Sequence, residues 1–280
     1  MLVDSAAQFQ GTILIAAPHM DDEVLACGGV IAKLPQKERI HVAYATDGMR
    51  SPAPIMPWRD AITPDLGEVR MEESRAALKL LGVPEENAHF LRLPEADLGR
   101  NLPALRRLLL ELLEYLKPDH IFMPFRYDRH PDHLAMNHTI TGAHRQGLCP
   151  QAQLIEYFVY YRWRLLPAGD VRRYIAPQHL LAVDIADVSA KKRMALDCFQ
   201  SQATIYYDWQ TRPILTPTLL DEECVGPELF LRYDESAPGA AVFAQTVLWI
   251  RIVHRLEPLL QRWKYRLGAM FQRGLQRNGN

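Results

Sequence analysis

Short apolar runs alternate with amphipathic stretches through the first half of the chain. Runs of β-branched and small apolar residues occupy 12–17, 39–45, 88–93 and 120–125, and their short length is typical of buried strands. Apolar residues at helical spacing occupy 22–34, 67–81 and 102–116, and a further helix is expected from about Leu134. Gly82, followed by Pro84, is a typical stop for the second helix.

This alternation predicts an α/β fold with a mostly parallel, Rossmann-like sheet and helices on both faces. A strand order of 3-2-1-4-5 would place the first and fourth strands side by side. Ligands bind such sheets beyond the carboxyl ends of the strands, where the strand order reverses. The loops after Ala17 and Phe125 are therefore expected to face each other. The aromatic-rich segment 154–163 is expected to form another strand whose rings pack in the core or, alternatively, line a cleft.

Both loops that are expected to converge carry histidines and carboxylates, in the motifs PHMDDE (18–23) and HPDH (130–133). The side chains concerned are His19, Asp21, Asp22, His130, Asp132 and His133. Two histidines and a carboxylate are a common ligand set of a catalytic zinc ion. Burying a charged carboxylate costs several kcal/mol of folding free energy unless an opposite charge compensates it. A divalent cation would supply that compensating charge. Each motif alone also fits a helix N-cap with acidic first-turn residues, but their joint placement favours a metal centre.

The charge, cysteine content and hydropathy of the chain argue against several classes of protein. A formal net charge of −1 gives no reason to expect nucleic-acid binding. The four cysteines include no C-x-x-C pair, which argues against a disulfide framework or a thiolate zinc site and fits a reducing cytoplasm. No signal peptide and no run of about 18 apolar residues is visible.

The C-terminal part of the chain has a different pattern. From Arg251 onward, seven lysines and arginines stand against the single acid Glu257, and apolar and basic residues alternate at near-helical spacing. This predicts a domain at 1–240 followed by an amphipathic basic helical extension at 241–280. Such a helix binds an anionic membrane surface from the cytoplasmic side, packs on the sheet, or forms a homo-oligomer contact.

The two histidine motifs make the first 200 or so residues similar to the PIG-L/LmbE-like zinc-dependent N-acetylglucosaminyl de-N-acetylases. The family's PHPDDE appears as PHMDDE, with Met20 in place of a proline, and HPDH is intact. A Thr-Asp-Gly turn at 46–48, an Arg-x-x-Glu helix containing Arg70 and Glu73, and the segment 183–202 also match. Met20 changes the stiffness of the loop but removes no ligand. The match is poor after Ser201.

The resemblance implies a role for each residue of the first motif. His19 and Asp22, together with His133 of the second motif, are expected to bind one zinc ion (Zn2+) per chain, although Fe2+ also suits these donors. Asp21 is expected to be the general base that deprotonates the metal-bound water. Glu23 is expected to be a structural hydrogen-bonding residue rather than a ligand.

The resemblance also assigns residues beyond the ligands. His130 is expected to stabilise the oxyanion or to protonate the departing amine, and Asp132 to orient His130. Arg70 and Asp47 are expected to bind substrate. The alternative for Arg70 is a surface ion pair with Glu73 on the same helix.

The implied reaction is removal of the acetyl group from an N-acetylated amino sugar or its glycoside. Two alternatives stay open: a metal-dependent amidohydrolase acting on a non-sugar amide, and a non-catalytic sugar- or nucleotide-binding module. No G-x-G-x-x-G loop follows the first strand, because Gly28 and Gly29 come too late, and this argues against a nucleotide-binding module. A membrane-bound C-terminal helix would favour a lipid-linked or membrane-adjacent glycan.

Overall fold

The computed structural model describes residues 6–52, 65–163, 165–234, 243, 252, 253 and 256. The amphipathic helix expected within 241–280 therefore lies almost entirely outside the described residues, and the domain boundary at 240 stays a prediction. Within the described ranges, no helix combines the length and apolar character that crossing a bilayer requires.

One seven-stranded sheet organises the part of the chain that the structure describes. Its strands are β1 (Ile13–Ala17), β2 (Ile40–Thr46), β3 (Ala88–Leu93), β4 (His120–Pro124), β5 (Gln153–Tyr157), β6 (Leu180–Val183) and β7 (Glu228–Arg232). They are ordered β3-β2-β1-β4-β5-β7-β6. The first five pair in parallel, which confirms the predicted order 3-2-1-4-5. β6 and β7 add an antiparallel edge that was not predicted from the sequence.

Helices cover both faces of this sheet, as predicted. They are α1 (Asp22–Lys33), α2 (Leu66–Leu81), α3 (Leu102–Leu116), α4 (Pro131–Arg145), α5 (Ser189–Leu196), α6 (Gln200–Ala203) and α7 (Pro217–Glu223). α1, α2 and α5 pack on one face, and α3 and α4 pack on the other. β1 is buried on both sides, because Ile13 and Ile15 face the first layer while Leu14 and Ala16 face the second.

Two elements differ from their predicted bounds by more than one residue. α4 begins at Pro131, about three residues earlier than expected, because the His130 side chain accepts the Asp132 N–H and proline suits the first helical turn. β5 ends at Tyr157 rather than continuing to Trp163. The chain beyond it leaves the sheet and packs Trp163 into a separate apolar cluster.

A buried ion pair ties α1 to the antiparallel edge. Lys192 Nζ lies 2.8 Å from Glu228 Oε1 and donates to the Leu25 carbonyl at 2.8 Å. The Glu228 carboxylate accepts the N–H groups of Gly29 and Val30, at 2.6 and 2.8 Å. The Leu25 carbonyl and the Gly29 N–H are partners in a regular helix, so the ion pair shares the hydrogen bonds of this turn. The Lys192–Glu228 ion pair therefore fixes the position of α1, whose first residue, Asp22, belongs to the candidate site.

Candidate metal centre and substrate cavity

The two histidine motifs meet because β1 and β4 are neighbouring parallel strands. Their carboxyl ends lie at the same edge of the sheet, so the loop after β1 and the loop after β4 face each other, as expected. His19 and His133, 114 residues apart, bring Nδ1 and Nε2 to within 3.3 Å. Both side chains are buried.

The three predicted ligands, His19, Asp22 and His133, form a nearly equilateral triangle of donor atoms. Asp22 Oδ2 lies 3.2 Å from His19 Nδ1 and 3.2 Å from His133 Nε2, and the two nitrogens are 3.3 Å apart. Donors bound to a tetrahedral zinc ion at about 2.0–2.1 Å are separated by about 3.3 Å. The donor triangle therefore fits a tetrahedral zinc ion and leaves one side of the site for a further ligand.

Each of the two buried histidines has a carboxylate on its other ring nitrogen. His19 Nε2 lies 3.2 Å from Asp132 Oδ2, and His133 Nδ1 lies 3.2 Å from Asp128 Oδ2. Carboxylates in this position are typical of metal-binding histidines, because they fix the ring orientation and raise the basicity of the ligating nitrogen. The site thus has both the donors and the outer contacts that a divalent metal requires.

The structure places Asp132 against His19, and not against His130 as expected. Its carboxylate also accepts the N–H groups of Ala96, at 2.7 Å, and Leu98, at 3.0 Å. These two bonds hold the Asp132 side chain under the 95–98 loop. His130 instead uses Nδ1 to accept the backbone N–H of Asp132, at 3.2 Å.

The surrounding charges favour a cation at this place. Burial opposes a charged His133, but Asp128 and Asp22 outweigh burial and raise the pKa of His133 to about 9. Burial likewise opposes a charged His19, but hydrogen bonds that its ring donates to the Asp132 and Asp22 carboxylates raise its pKa well above the usual value. The carboxylates thus supply more negative charge than neutral histidines can balance.

Asp21 lies beside the donor triangle in a strained backbone conformation. Its φ of 137° falls in a region that residues other than glycine rarely adopt. Glu23 supports this turn, because it accepts the Asp21 N–H at 3.0 Å and the Tyr44 hydroxyl at 2.8 Å. Burial raises the pKa of Asp21 to about 7 against the opposing charge of Arg70. The structural role expected for Glu23 agrees with these contacts.

Arg70 is buried, so the surface ion pair considered for it does not form. Its Nη2 donates to the Met20 carbonyl at 2.9 Å, and its Nη1 lies 3.1 Å from Glu95 Oε1. Glu73 faces Ser201 instead, accepting both its N–H and its hydroxyl at 2.7 Å. Arg70 Nη2 also lies 3.6 Å from Asp21 Oδ2. Arg70 thus links the Asp21 turn to the loop after β3.

Asp47 lies in the turn after β2. Its Oδ1 accepts the N–H groups of Met49, at 3.1 Å, and Glu95, at 3.2 Å. The Asp47 side chain therefore holds two loops together. It does not line the cavity above the donor triangle.

A cavity of about 310 Å³ opens over the donor triangle. Its floor carries acidic and imidazole side chains, and its walls combine arginines, tyrosines and aliphatic residues. The residues that line it include His19, Asp21, Asp22, Arg50, Arg70, Glu95, His130, Tyr160, Leu215 and Leu219. A larger cavity of about 800 Å³ lies at the opposite end of β1, but it contains none of these residues. The candidate site is therefore assigned to the smaller cavity, because of the side chains that line it and not because of its volume.

Three residues of the site were not identified from the sequence. Asp128 lies two positions before His130, and its place in a loop already rich in ligands was a usable signal. Glu95 follows β3, whose carboxyl end points to the same edge of the sheet as the two motifs. Tyr160 lies in the aromatic segment after β5, where core packing was the default expectation.

Comparisons with known proteins agree with the motifs. Residues 14–144 match the family described as "PIG-L: GlcNAc-PI de-N-acetylase". The fold is similar to the N,N'-diacetylchitobiose deacetylase of Pyrococcus horikoshii, with 20% identity and a TM-score of 0.56 over 81% of this chain and 84% of that one. It is similar to the A40926 pseudoaglycone deacetylase, with 20% identity and a TM-score of 0.59 over 81% and 98% of the two chains.

A protein with a different activity has the same fold. The 4-carboxy-2-hydroxymuconate hydratase of Pseudomonas putida is 18% identical, with a TM-score of 0.55 over 82% of this chain and 98% of that one. Structural likeness at this level of identity shows the fold alone.

Proposed function

Because residues 14–144 of this chain match the PIG-L family, we propose that the protein is a metal-dependent de-N-acetylase. It hydrolyses the acetamido group of an N-acetylated amino sugar or its glycoside and releases acetate and a free amine. The observation that carries the proposal is the donor triangle of His19, Asp22 and His133, with Asp21 beside it on the floor of a cavity.

His19, Asp22 and His133 are the proposed ligands of one zinc ion, and Fe2+ suits the same donors. A cluster of His19, His130 and His133, whose nitrogens lie within 4.8 Å of one another, is the alternative set. Asp22 is preferred to His130 because a single oxygen of Asp22 lies 3.2 Å from both other donors. When bound, the metal supplies Lewis acidity and lowers the pKa of a water molecule.

Asp21 is the proposed general base. It follows the same strand as His19 and Asp22, is 7% exposed and lines the cavity floor, so its carboxylate can reach a water that attacks a bound acetamide. Asp21 and Asp22 are adjacent, and the strained turn gives their side chains different directions, so Asp22 can ligate while Asp21 accepts a proton.

His130 and Arg70 complete the proposed site. His130 lines the cavity and is proposed to stabilise the oxyanion or to protonate the departing amine. Arg70 lines the cavity as well, and its contact with Asp21 supports a role in holding that carboxylate. Direct contact between Arg70 and substrate stays a prediction, as does the substrate-binding role of Asp47.

The test combines metal analysis with a primary-amine release assay across a panel of N-acetyl glycosides. His19→Ala is expected to abolish both zinc retention and turnover, because it removes a ligand. Asp21→Ala is expected to retain zinc and to lose about 10²–10⁴-fold in rate, the usual contribution of a general base. The exposed His138→Ala on α4 is the control and should behave as wild type.

Full activity of both variants with metal bound would refute this assignment. Release of amine only from non-sugar amides would favour the amidohydrolase alternative. Protein that retains no zinc after dialysis and does not respond to added zinc would favour the non-catalytic binding module. The cytoplasmic location, the membrane contact and the homo-oligomer expected from the sequence stay predictions.

A further inference from the structure

We propose that Tyr160 is a positioning residue of this site, whose ring sets the orientation of the His130 imidazole in the cavity. The inference rests on the proposed function, since it assigns a residue to that reaction. It concerns the aromatic segment after β5, for which the sequence favoured packing in the core.

The rings around His130 hold it from two sides. Tyr160 stacks on His130 with ring centroids 5.3 Å apart and an interplanar angle of 27°. On another side, His19 meets His130 edge-on at 4.6 Å and 83°. Tyr160 also presents its ring to His133 at 5.1 Å and 76°. Tyr160 thus contacts one proposed ligand and the proposed acid of the reaction with the same ring.

The backbone of Tyr160 is fixed to the same loop. Its N–H donates to Asp128 Oδ2 at 3.3 Å, and this oxygen lies 3.2 Å from His133 Nδ1. The other oxygen of Asp128 accepts the backbone N–H of His130 at 2.8 Å. One carboxylate therefore sets the position of the Tyr160 main chain relative to both histidines.

Tyr160 differs from the other aromatic residues of its segment in exposure. It is 37% exposed and lines the cavity, whereas Tyr157, Tyr161 and Trp163 are at most 5% exposed. Its hydroxyl has no hydrogen-bond partner within the part of the chain that the structure describes. The ring, rather than the hydroxyl or a core-filling role, accounts for the contacts of Tyr160.

Among the described residues, no carboxylate contacts the imidazole of His130, so the stack on Tyr160 takes the place of such a contact. His19 and His133 have Asp132 and Asp128 on their second nitrogens, while the only polar contact described for the His130 ring is the Asp132 N–H on Nδ1. Offset stacking of aromatic rings is favourable and defines the plane of the ring. A displacement of about 1 Å in a reacting group costs on the order of 10²-fold in rate.

The experiment compares Tyr160→Leu, which removes the ring, with Tyr160→Phe, which keeps the ring and removes the hydroxyl. We expect Tyr160→Leu to lower kcat by about 10- to 100-fold with zinc content unchanged. Tyr160→Phe is expected to recover kcat to within about threefold of wild type. Tyr115→Leu, at a 78% exposed position on α3, is the control for loss of a tyrosine.

A double-mutant cycle identifies the residue through which Tyr160 acts. In a His130→Ala background, Tyr160→Leu should have no further effect on kcat, because the ring that it positions is gone. The proposal is overturned if Tyr160→Phe is as slow as Tyr160→Leu, if Tyr160→Leu keeps wild-type kcat, or if its effect persists undiminished in His130→Ala. Tyr160→Met, whose unbranched side chain adapts to irregular gaps, replaces the leucine variant should that variant fail to fold.

A measurement without substrate separates this inference from the proposed function. The imidazole proton resonances of His130, identified by their loss in His130→Ala, should shift when the adjacent ring is removed in Tyr160→Leu and stay close to wild type in Tyr160→Phe. Unchanged resonances in Tyr160→Leu would refute the stack. If wild-type protein releases no amine from any N-acetyl substrate, the proposed function fails, while these resonances still decide whether Tyr160 holds His130.

Discussion

At the scale of single residues, pairing of carboxylates with histidines is what distinguishes this site from a helix N-cap. Asp132 stands behind His19, and Asp128 stands behind His133. An acidic first turn needs no such contacts, since the helix dipole alone stabilises it. The other nitrogens of the two imidazoles lie 3.3 Å apart beside Asp22, an arrangement that suits a bound cation.

This pairing predicts how zinc affinity changes when one of the carboxylates behind the histidines loses its charge. Asp128→Asn should lower zinc affinity by about 10- to 100-fold, because His133 then becomes a weaker and less well oriented donor. Competition with a chromophoric chelator measures the affinity directly. Asp187→Asn is a matched control, because Asp187 is exposed and pairs with Lys33 far from the cavity. Equal affinity of Asp128→Asn and wild type would contradict the role given to this carboxylate.

At the scale of elements, the position of α1 decides where Asp22 points. The helix begins at Asp22, and its middle turn lies directly against Ile185 and the Lys192–Glu228 ion pair. A Cβ at Gly29 would lie 2.3 Å from Ile185 Cγ2 and 3.0 Å from Glu228 Oε1. Glycine is therefore required there for close approach, although glycine otherwise weakens a helix.

Two glycine-to-alanine substitutions test this packing with the same chemical change. Gly29→Ala should lower the free energy of unfolding by about 1–3 kcal/mol, the typical cost of overpacking a core. Gly142→Ala, in α4, should raise the free energy of unfolding by about 0.5–1 kcal/mol, since a Cβ there meets no atom within 4 Å. Urea denaturation of the metal-free proteins gives both values. Similar changes for the two variants would show that helix propensity, not contact with Ile185, dominates.

At the scale of the whole molecule, the candidate centre joins loops that are far apart in the chain. Met20 and His130 lie in loops after β1 and β4, and the Arg70 side chain reaches into the same place from α2. The carboxylates gathered there repel one another in the absence of a cation. The metal is therefore expected to contribute to folding stability as well as to chemistry.

This predicts that zinc stabilises the folded chain. At a free zinc concentration of about 100 times Kd, the free energy of unfolding should rise by about 2.7 kcal/mol, provided that the unfolded chain does not bind the metal. Thermal denaturation with excess chelator and with buffered zinc measures the difference in Tm. His19→Ala should remove most of this response. A wild-type Tm that is identical under both conditions would contradict a metal site in the native state.

Much of the architecture could be predicted because it follows from local patterns. The buried strands are short apolar runs in the sequence, and α2 ends at Leu81, directly before the capping Gly82 that the sequence indicates. The edge formed by β6 and β7 was missed because these strands are short and separated by 44 residues, from Val183 to Glu228. Their pairing depends on contacts that no local pattern encodes.

The amino-acid sequence alone determined the order of the parallel strands and which two loops would meet, because alternating strands and helices admit few topologies. Only the tertiary structure decided the contacts inside the site: Asp132 behind His19, Arg70 buried between Asp21 and Glu95, and Tyr160 stacked on His130. Side-chain direction depends on backbone hydrogen bonds and packing from several elements at once, such as the Ala96 and Leu98 amides that hold Asp132. Residue spacing along the chain carries no information about those directions.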